Sequence, residues 1–316
     1  MLKKLFAITI TLLSCFTLPA QDVKDSIIKK DSIIKVEGKY ITLSEIVVNN
    51  KLDVPSFIER VKNDTTFYKA FRNLHIIGYT SLNDIRMLDK NGNTVASLQS
   101  KTRQTRSGNC RRMEVMEEAS DGDMYDNHHN FNYYTAVMYS GLFFTKDSVC
   151  GEDNIVKGHE FSTEGLSGME KHKEQLKMLF FNPGKKISGL PFISGKTEIF
   201  DESMADKYIM DIDLRDFNNI SCYVFTIKAK DDKKNGVVID EMTTWFNEKT
   251  FDIVARNYSL SYDAGVYDFN VDMEVQMTKV SDLLVPAILR YNGNWKAIFK
   301  KREHGVFTAT LFDFVR

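Results

Sequence analysis

The chain has 316 residues, 43% of them hydrophobic and 12% aromatic, with 42 basic side chains against 43 acidic ones. That is ample apolar material for one large β-rich domain or two ordinary ones. A formal net charge of −1 excludes the strongly basic surface by which nucleic acid or an anionic membrane is bound, so neither is expected as a partner.

Residues 1–21 open with Lys3 and Lys4, continue in a largely apolar run from Leu5 to Leu13 and end in Leu18-Pro19-Ala20-Gln21. A basic start, a short apolar region and a small residue at the end form the pattern of a secretory signal peptide, and the apolar run is too short to span a bilayer. No later stretch holds 18 consecutive apolar residues, so no transmembrane span is expected. Leu12-Leu13-Ser14-Cys15 also has the form of a lipobox, in which Cys15 would carry a lipid anchor. The Ala20-Gln21 ending favours Cys15 as an ordinary small residue of the leader. The expected location is the periplasm or the outer-membrane region of a Gram-negative envelope. Cleavage leaves Cys110, Cys150 and Cys222, of which one pair can bridge in an oxidising compartment while one thiol is left over. Cys222 lies in the strand-like stretch Ser221 to Lys230, where a buried free thiol is the simple reading, and the cysteine spacings match no metal motif.

Residues 24–29 (KDSIIK) are repeated at once as 30–35 (KDSIIK). Two six-residue units are too few for a solenoid, so 22–35 reads as an extended linker. Ser26 and Ser32 follow aspartates in the Asp-Ser-aliphatic form of an O-glycosylation sequon used on exported bacterial proteins, which makes them candidate modification sites. Lys39 to Val48 reads as a strand ending at Asn49-Asn50, and its Leu43-Ser44-Glu45-Ile46-Val47-Val48 core is similar to the closing strand of carboxypeptidase-regulatory-like β-sandwiches. Pro55 to Lys62 and Asp64 to Asn73 read as short helices. Pro55 sits in a first turn, Asp64 stands at a cap position, and Phe57, Ile58, Val61, Phe67, Phe71 and Leu74 form an apolar stripe.

Leu74 to Thr105 returns to strands, with a hairpin turn at Asp89-Lys90-Asn91-Gly92-Asn93. Lys101, Arg103, Arg106, Arg111 and Arg112 cluster on the second arm, where a solvated strand face is the ordinary outcome and an anion-binding patch the alternative. Asp121 to Asn132 gathers Asp121, Asp123, Asp126, His128 and His129. It lacks the glycine and glutamate positions of a calcium loop, and adjacent histidines on an extended chain point apart, so a polar loop is expected and no metal. Tyr133 to Phe144 is a buried helix or strand that periodicity cannot separate. Ser167 to Phe181 carries a capping box and ends at Asn182-Pro183-Gly184, which predicts a helix. The glycine-containing loop from Lys185 to Ser194 is a candidate flap.

From Lys207 onward the chain reads as a meander of about eight strands. Its clearest member is Tyr267 to Thr278, in which Tyr267, Phe269, Val271, Met273, Val275 and Met277 alternate with polar residues through six cycles, as only a half-buried strand requires. Val285 to Tyr291 and Trp295 to Lys301 read as strands joined by an Asn292-Gly293-Asn294 hairpin. The fold class that follows is α+β and mostly antiparallel β, a curved sheet or open half-barrel with a few covering helices. The chain divides into a signal peptide at 1–21, a linker and N-terminal strand at 22–50, and a β-rich half-barrel-like domain at 51–316, with helices near 55–73 and 168–181.

Tyr223-Val224-Phe225-Thr226-Ile227, the strand from Val237 to Phe246, Phe251-Asp252-Ile253-Val254 after its turn, and the strand at 267–278 together resemble the periplasmic outer-membrane lipoprotein carriers, a half-barrel superfamily of lipoprotein sorting. The resemblance extends over roughly residues 65–316 and implies an apolar groove for acyl chains between sheet and helices. In such a groove Phe225, Met242, Phe269, Met273 and Met277 are the candidate ligand-binding residues, since thioether side chains repack around variable apolar ligands.

No Gly-x-Ser-x-Gly elbow, His-Glu-x-x-His helix or phosphate loop occurs, so no catalytic residue, cofactor or enzyme activity is assigned; a hydrolase using His128 or His129 is the residual enzymatic alternative. The expected function is a non-enzymatic envelope protein that binds a lipid or lipidated partner. The alternative is a structural or interaction module, with a fully packed core, that contacts other envelope proteins.

Overall fold

The structure is a computed structural model and describes residues 32–156, 178–187, 195–204, 206–263, 265, 268–296 and 301–316. The leader at 1–21, Cys15, Ser26, the first hexapeptide, residues 167–177 of the expected helix and most of the candidate flap lie outside the described residues.

Among the described residues thirteen strands form one sheet. They are β1 (Ser32–Val36), β2 (Lys39–Leu43), β3 (Gly78–Leu88), β4 (Thr94–Ser107), β5 (Cys110–Gly122), β6 (Ser148–Cys150), β7 (Tyr208–Phe217), β8 (Ile220–Ala229), β9 (Ile239–Asn247), β10 (Ile253–Asp263), β11 (Asp268–Val280), β12 (Leu283–Lys296) and β13 (Glu303–Val315). Their spatial order is β1-β2-β7-β8-β9-β10-β11-β12-β13-β3-β4-β5-β6, with β1 and β6 as its ends, not joined to each other, among the described residues. Neighbours are antiparallel except β2 with β7, which run parallel. Among the described residues four complete α-helices accompany the sheet, α1 (Glu45–Asn49), α2 (Val54–Asn63), α3 (Thr66–Asn73) and α4 (Tyr134–Phe143), and residues 178–181 are helical as well. The α+β, mostly antiparallel class is therefore present as an open, curved sheet with a few helices.

The alternation in β11 does what its pattern demands. Phe269, Val271, Met273 and Val275 are buried while the intervening Asn270, Asp272 and Glu274 are exposed, and a bulge after Gln276 leaves Met277 half-buried. One row of inward side chains, Ile34, Ile41, Met210, Ile227, Met242, Tyr258, Met273, Tyr291, Phe307, Ile85 and Leu98, runs directly across strand partners through eleven strands. All but the edge residue Ile34 are buried, so this ladder is the spine of the core.

Helices α2 and α3 form where the sequence predicts. The Asp53 carboxylate caps α2 by accepting from the Ser56 amide at 3.3 Å, and the Asp64 carboxylate accepts from the Thr66 amide at 3.2 Å at the start of α3. Phe57 of α2 packs edge-on against Phe225 at 5.9 Å and Phe246 at 5.4 Å, and Phe67 of α3 against Tyr258 at 6.3 Å. Tyr133 to Phe144 resolves as α4, which stacks Tyr139 on Phe307 at 5.0 Å and Phe143 on the same ring at 4.9 Å. These three helices cover one face of the sheet.

Four local expectations are corrected. Lys39 to Val48 is not one strand: β2 stops at Leu43, where the Ser44 amide donates to the Ile212 carbonyl at 3.1 Å, and Glu45–Asn49 turns into helix with Val47 buried. The strand preference of Ile46-Val47-Val48 yields to that tertiary contact, and the similarity to a sandwich closing strand lapses with it. Ser32–Val36, the end of the expected linker, is the sheet's edge strand. Asn292-Gly293-Asn294 is not a hairpin, because β12 runs unbroken through it. A Cβ on Gly293 would stand 1.8 Å from the Tyr291 hydroxyl, so the glycine accommodates the folded-over ring rather than a turn. Finally, the basic residues of β4 and β5 do not share one wet face: Lys101 reaches Glu117 at 3.6 Å on the exposed side, whereas the Arg111 side chain is only 15% exposed.

Candidate functional site

The inner face is apolar along most of the ladder, but it changes character at β3 and β4. Ser81 and Asn83 on β3, and Ser100, Thr102 and Gln104 on β4, are all buried polar residues pointing inward. They satisfy one another: Ser81 Oγ donates to Asn83 Oδ1 at 2.8 Å, and Asn83 Nδ2 reaches Ser100 Oγ and Thr102 Oγ1, each at 3.3 Å. Gln104 Nε2 donates to the Leu74 and Ile77 carbonyls at 2.6 and 2.8 Å, tying β4 to the end of α3. A buried polar row of this kind costs stability unless every member is bonded, and here the bonds are made.

Between this row and α4 the side chains do not meet. A cavity of about 100 Å³ remains. Its walls are Phe71, Phe143, Phe144, Phe181 and Leu311, its floor is Ser81 and Asn83, and its rim is His75, Arg111 and Glu152. Phe71 and Phe181 stack at 4.1 Å with Phe143 edge-on to Phe181 at 5.8 Å, so three rings from three segments converge on one side.

The rim is an ion network. Arg111 donates through Nε to Glu152 and through Nη1 to Gln104 Oε1 at 3.0 Å and to Thr145. His75 Nδ1 lies 3.2 Å from Glu152 Oε1, and Arg72 pairs with Asp153 at 3.2 Å. Burial alone would raise the Glu152 carboxyl, but the Arg111 hydrogen bond and the charges of His75 and Arg111 more than offset it and hold the carboxyl below its ordinary range. Burial pushes the neighbouring Tyr79 hydroxyl up to about 12, so it stays neutral at physiological pH. The Cys110–Cys150 disulfide bonds β6 to β5 two residues before Glu152, and Cys222 is the buried free thiol among the described residues.

The five candidate ligand residues share the inner face but lie along it away from this cavity, and none of them lines it. Phe225 lies under Phe57; Met242 and Met273 flank Tyr258 in the ladder; Phe269 packs on Trp295 at 5.1 Å; Met277 sits half-buried at the bulge. The cavity residues carry little mark in the sequence. Arg111 reads as one of several strand-face cations, and Glu152 lies in a stretch without a motif; the one signal is the alternation of small polar groups at Ser81, Asn83, Ser100 and Thr102.

The loop at 121–132 spends its polar groups on itself. The Asp126 carboxylate accepts the His128 and Asn130 amides at 2.8 Å each, and the Asp123 carboxylate accepts from the Tyr133 hydroxyl. His129 stacks on Tyr125 at 4.1 Å. Among the described residues no cluster of three metal-ligating side chains forms, and no helix is long and apolar enough to cross a membrane.

Fold and site define an open antiparallel sheet with helices on one face and a small mixed-polarity cavity between them. No protein-family model matches the chain, and no curated protein does. Solved structures similar to it include a DUF1329 family protein from Desulfovibrio piger, at 11% identity and a TM-score of 0.22, covering 79% of this chain and 93% of that one. A putative outer membrane lipoprotein-sorting protein domain from Vibrio parahaemolyticus is similar at 8% identity and a TM-score of 0.26, covering 82% and 89%.

Proposed function

We propose that the chain is an exported, non-enzymatic protein of a Gram-negative envelope, with residues 51–316, joined in one sheet by β1 and β2, as a half-barrel-like domain that binds a lipid or lipidated partner between sheet and helices. The cavity beneath α4 is the observation that carries this reading, because it is an aromatic-walled space in the expected layer. Its size sets what it accepts. Sites for drug-sized ligands enclose ~300–1,000 Å³, and an engineered cavity of ~150 Å³ holds benzene, so about 100 Å³ takes the end of one acyl chain. At ~0.8 kcal/mol per buried CH₂, a chain end alone is held weakly. Firm retention requires the cover at 142–145 to move, or the face bearing Phe225, Met242, Phe269, Met273 and Met277 to open.

Export is supported by the leader pattern and by the Cys110–Cys150 disulfide, which persists in oxidising compartments. The protein resides in the periplasm or at the outer membrane, with cleavage after Ala20 favoured over a lipid anchor on Cys15. O-glycosylation at Ser26 or Ser32 belongs to the same proposal and is read by intact mass.

Native mass spectrometry and lipid extraction of the protein purified from its own envelope test the function. A co-purifying acyl lipid is the expected result. The second reading, an interaction module with a filled core, is favoured by the burial of Phe225, Met242, Phe269 and Met273 among aromatic and aliphatic neighbours. Absence of lipid together with a discrete cross-linked protein partner in cells would replace the first reading by the second.

A further inference from the structure

The inner face carries a buried cation in line with the cavity. Arg256 on β10 is 5% exposed, a depth that arginine seldom reaches. Its Nε donates to Thr244 Oγ1 at 2.9 Å, and its guanidinium lies 4.2 Å over the Phe67 ring of α3. Both of those partners are neutral. Burial pulls the guanidinium below its ordinary value, with Asp64 and Tyr258 acting the other way, yet arginine stays protonated at physiological pH.

A second cation stands beside it. Lys185 is half-buried and donates through Nζ to the Lys62 carbonyl at the end of α2. Burial is the main cause that pushes Lys185 down to about 8; Asp64 opposes it and the Arg256 charge adds to it, while Glu198 and Lys62 act more weakly and with opposite signs. Asp64 thus acts on both cations, and it is also engaged at the start of α3, where it accepts from the Thr66 amide at 3.2 Å and the Thr66 hydroxyl at 2.6 Å. Two cations beside one occupied carboxylate favour an added anion at this junction of α2 and α3.

Sheet register joins this junction to the cavity. Thr244, Arg256, Val275, Leu289, Ala309 and Asn83 stand directly opposite one another from β9 to β3, and all of them are buried. Ala309 and Asn83 line the cavity beneath α4. Arg256 and Ala309 are three strand spacings apart, which at ~4.8 Å each is ~14 Å. Helix α3 overlies this line: Phe67 covers Arg256 and Phe71 is a wall of the cavity, their rings 5.5 Å apart. The layer under α3 therefore has an aromatic-walled space at one end, the apolar Val275 and Leu289 in the middle and a cation at the other end, the polarity that a single-chain lipid acid complements.

We propose that Arg256, with Lys185 beside it, is the counter-ion for the acidic head group of a single-chain lipid whose acyl end occupies the cavity beneath α4, with α3 lifting to admit the chain. The proposal rests on the lipid-binding reading above and adds to it the charge of the ligand and the direction in which it lies. The planar guanidinium offers a carboxylate or phosphate charge-assisted hydrogen bonds in a layer with little water to compete, so the head group fixes the ligand that the chain end alone holds weakly.

The test uses the full exported chain, stripped of co-purified lipid and titrated calorimetrically with palmitate, palmityl alcohol, acetate and inorganic phosphate. Wild type is expected to bind palmitate roughly tenfold or more tighter than the alcohol, the size of one hydrogen bond to a charged group, and to bind the two small anions far more weakly than palmitate. Arg256→Met exchanges a buried cation for an apolar side chain of similar length; it is expected to lose that tenfold preference while holding the alcohol within about twofold of wild type, and Arg256→Lys to recover part of the preference. The wild-type comparison of acid with alcohol decides the matter even where a variant fails to fold. Equal affinity for acid and alcohol in wild type, or a folded Arg256→Met that keeps the preference, would overturn the proposal and leave the lipid-binding reading standing. Binding of neither would overturn both. Acetate or phosphate bound as tightly as palmitate would overturn the proposal by making the site one for a small anion.

Discussion

Gly293 shows how much one residue can decide. Tyr291 folds over it, receives a hydrogen bond from the Trp295 indole, and packs against Tyr139 at 4.8 Å and Phe180 at 6.0 Å, so its ring has no free direction in which to retreat. Gly293→Ala is expected to destabilise the protein by about 1–3 kcal/mol, the usual cost of overpacking a closed core, read as a lower urea midpoint at unchanged slope. A neutral substitution would mean that the ring moves freely. Glu152 acts through charge. Its folded-state carboxyl lies below the unfolded value of ~4.3, so its stabilising contribution is complete above that value and is lost as pH falls through the lower folded one. Glu152→Gln should therefore reduce stability at neutral pH and flatten the acid limb of a midpoint-against-pH curve relative to wild type. Parallel curves for the two proteins would refute the assignment.

Among the elements, β6 is the smallest and depends most on a covalent tie. It holds three residues against Cys110, Arg111 and Arg112, and the disulfide fixes it there across a separation of 40 residues. Loop-closure entropy for such a span amounts to about 4 kcal/mol in the chain model, with ~2–4 kcal/mol typical of measured cases. The double variant Cys110→Ser with Cys150→Ser is expected to lose that amount in urea unfolding and to expose the 145–156 segment to protease first; a loss below about 1 kcal/mol would show that the ion network alone secures the segment. The elements differ in how far the sequence discloses them. β11 is legible because one wet face and one dry face impose period two, and α2 and α3 because their apolar stripes agree with Pro55 in a first turn and Asp64 at a cap position. α1 is not, since Ile46-Val47-Val48 favours a strand locally and only the Ser44 contact with β7 makes it a helix. Gly293 misled because a glycine between asparagines signals a turn unless the fold places a ring over it. The cavity is hidden for a related reason: Ser81 on β3 and Ser100 on β4 look like exposed positions until register sets them opposite Thr102 and Asn83.

On the scale of the whole molecule, the ladder from Ile34 to Leu98 links eleven strands through side chains that each touch the next, and aromatic residues of α2, α3 and α4 insert along it. A break in cooperativity would need a strand boundary that few inward contacts cross. The polar row of β3 and β4 is the place where apolar contact is thinnest, but Phe307 and Ile85 still join β13 to β3 there, and Gln104 fastens β4 to the end of α3. The described body is therefore expected to unfold as one unit. Two tryptophans make this measurable: Trp245 on β9 stands 5.4 Å from Phe217, and Trp295 on β12 stands between Phe269 and Phe180, so both report on the middle of the sheet. Far-ultraviolet circular dichroism reports on all thirteen strands together, including β3 to β6. Under oxidising conditions, urea transitions followed by tryptophan fluorescence and by circular dichroism should coincide in midpoint and slope. A circular dichroism transition that begins at lower urea than the fluorescence transition would show that β3 to β6 separate first, and would make that end of the sheet, with its cavity, an independently opening part of the molecule.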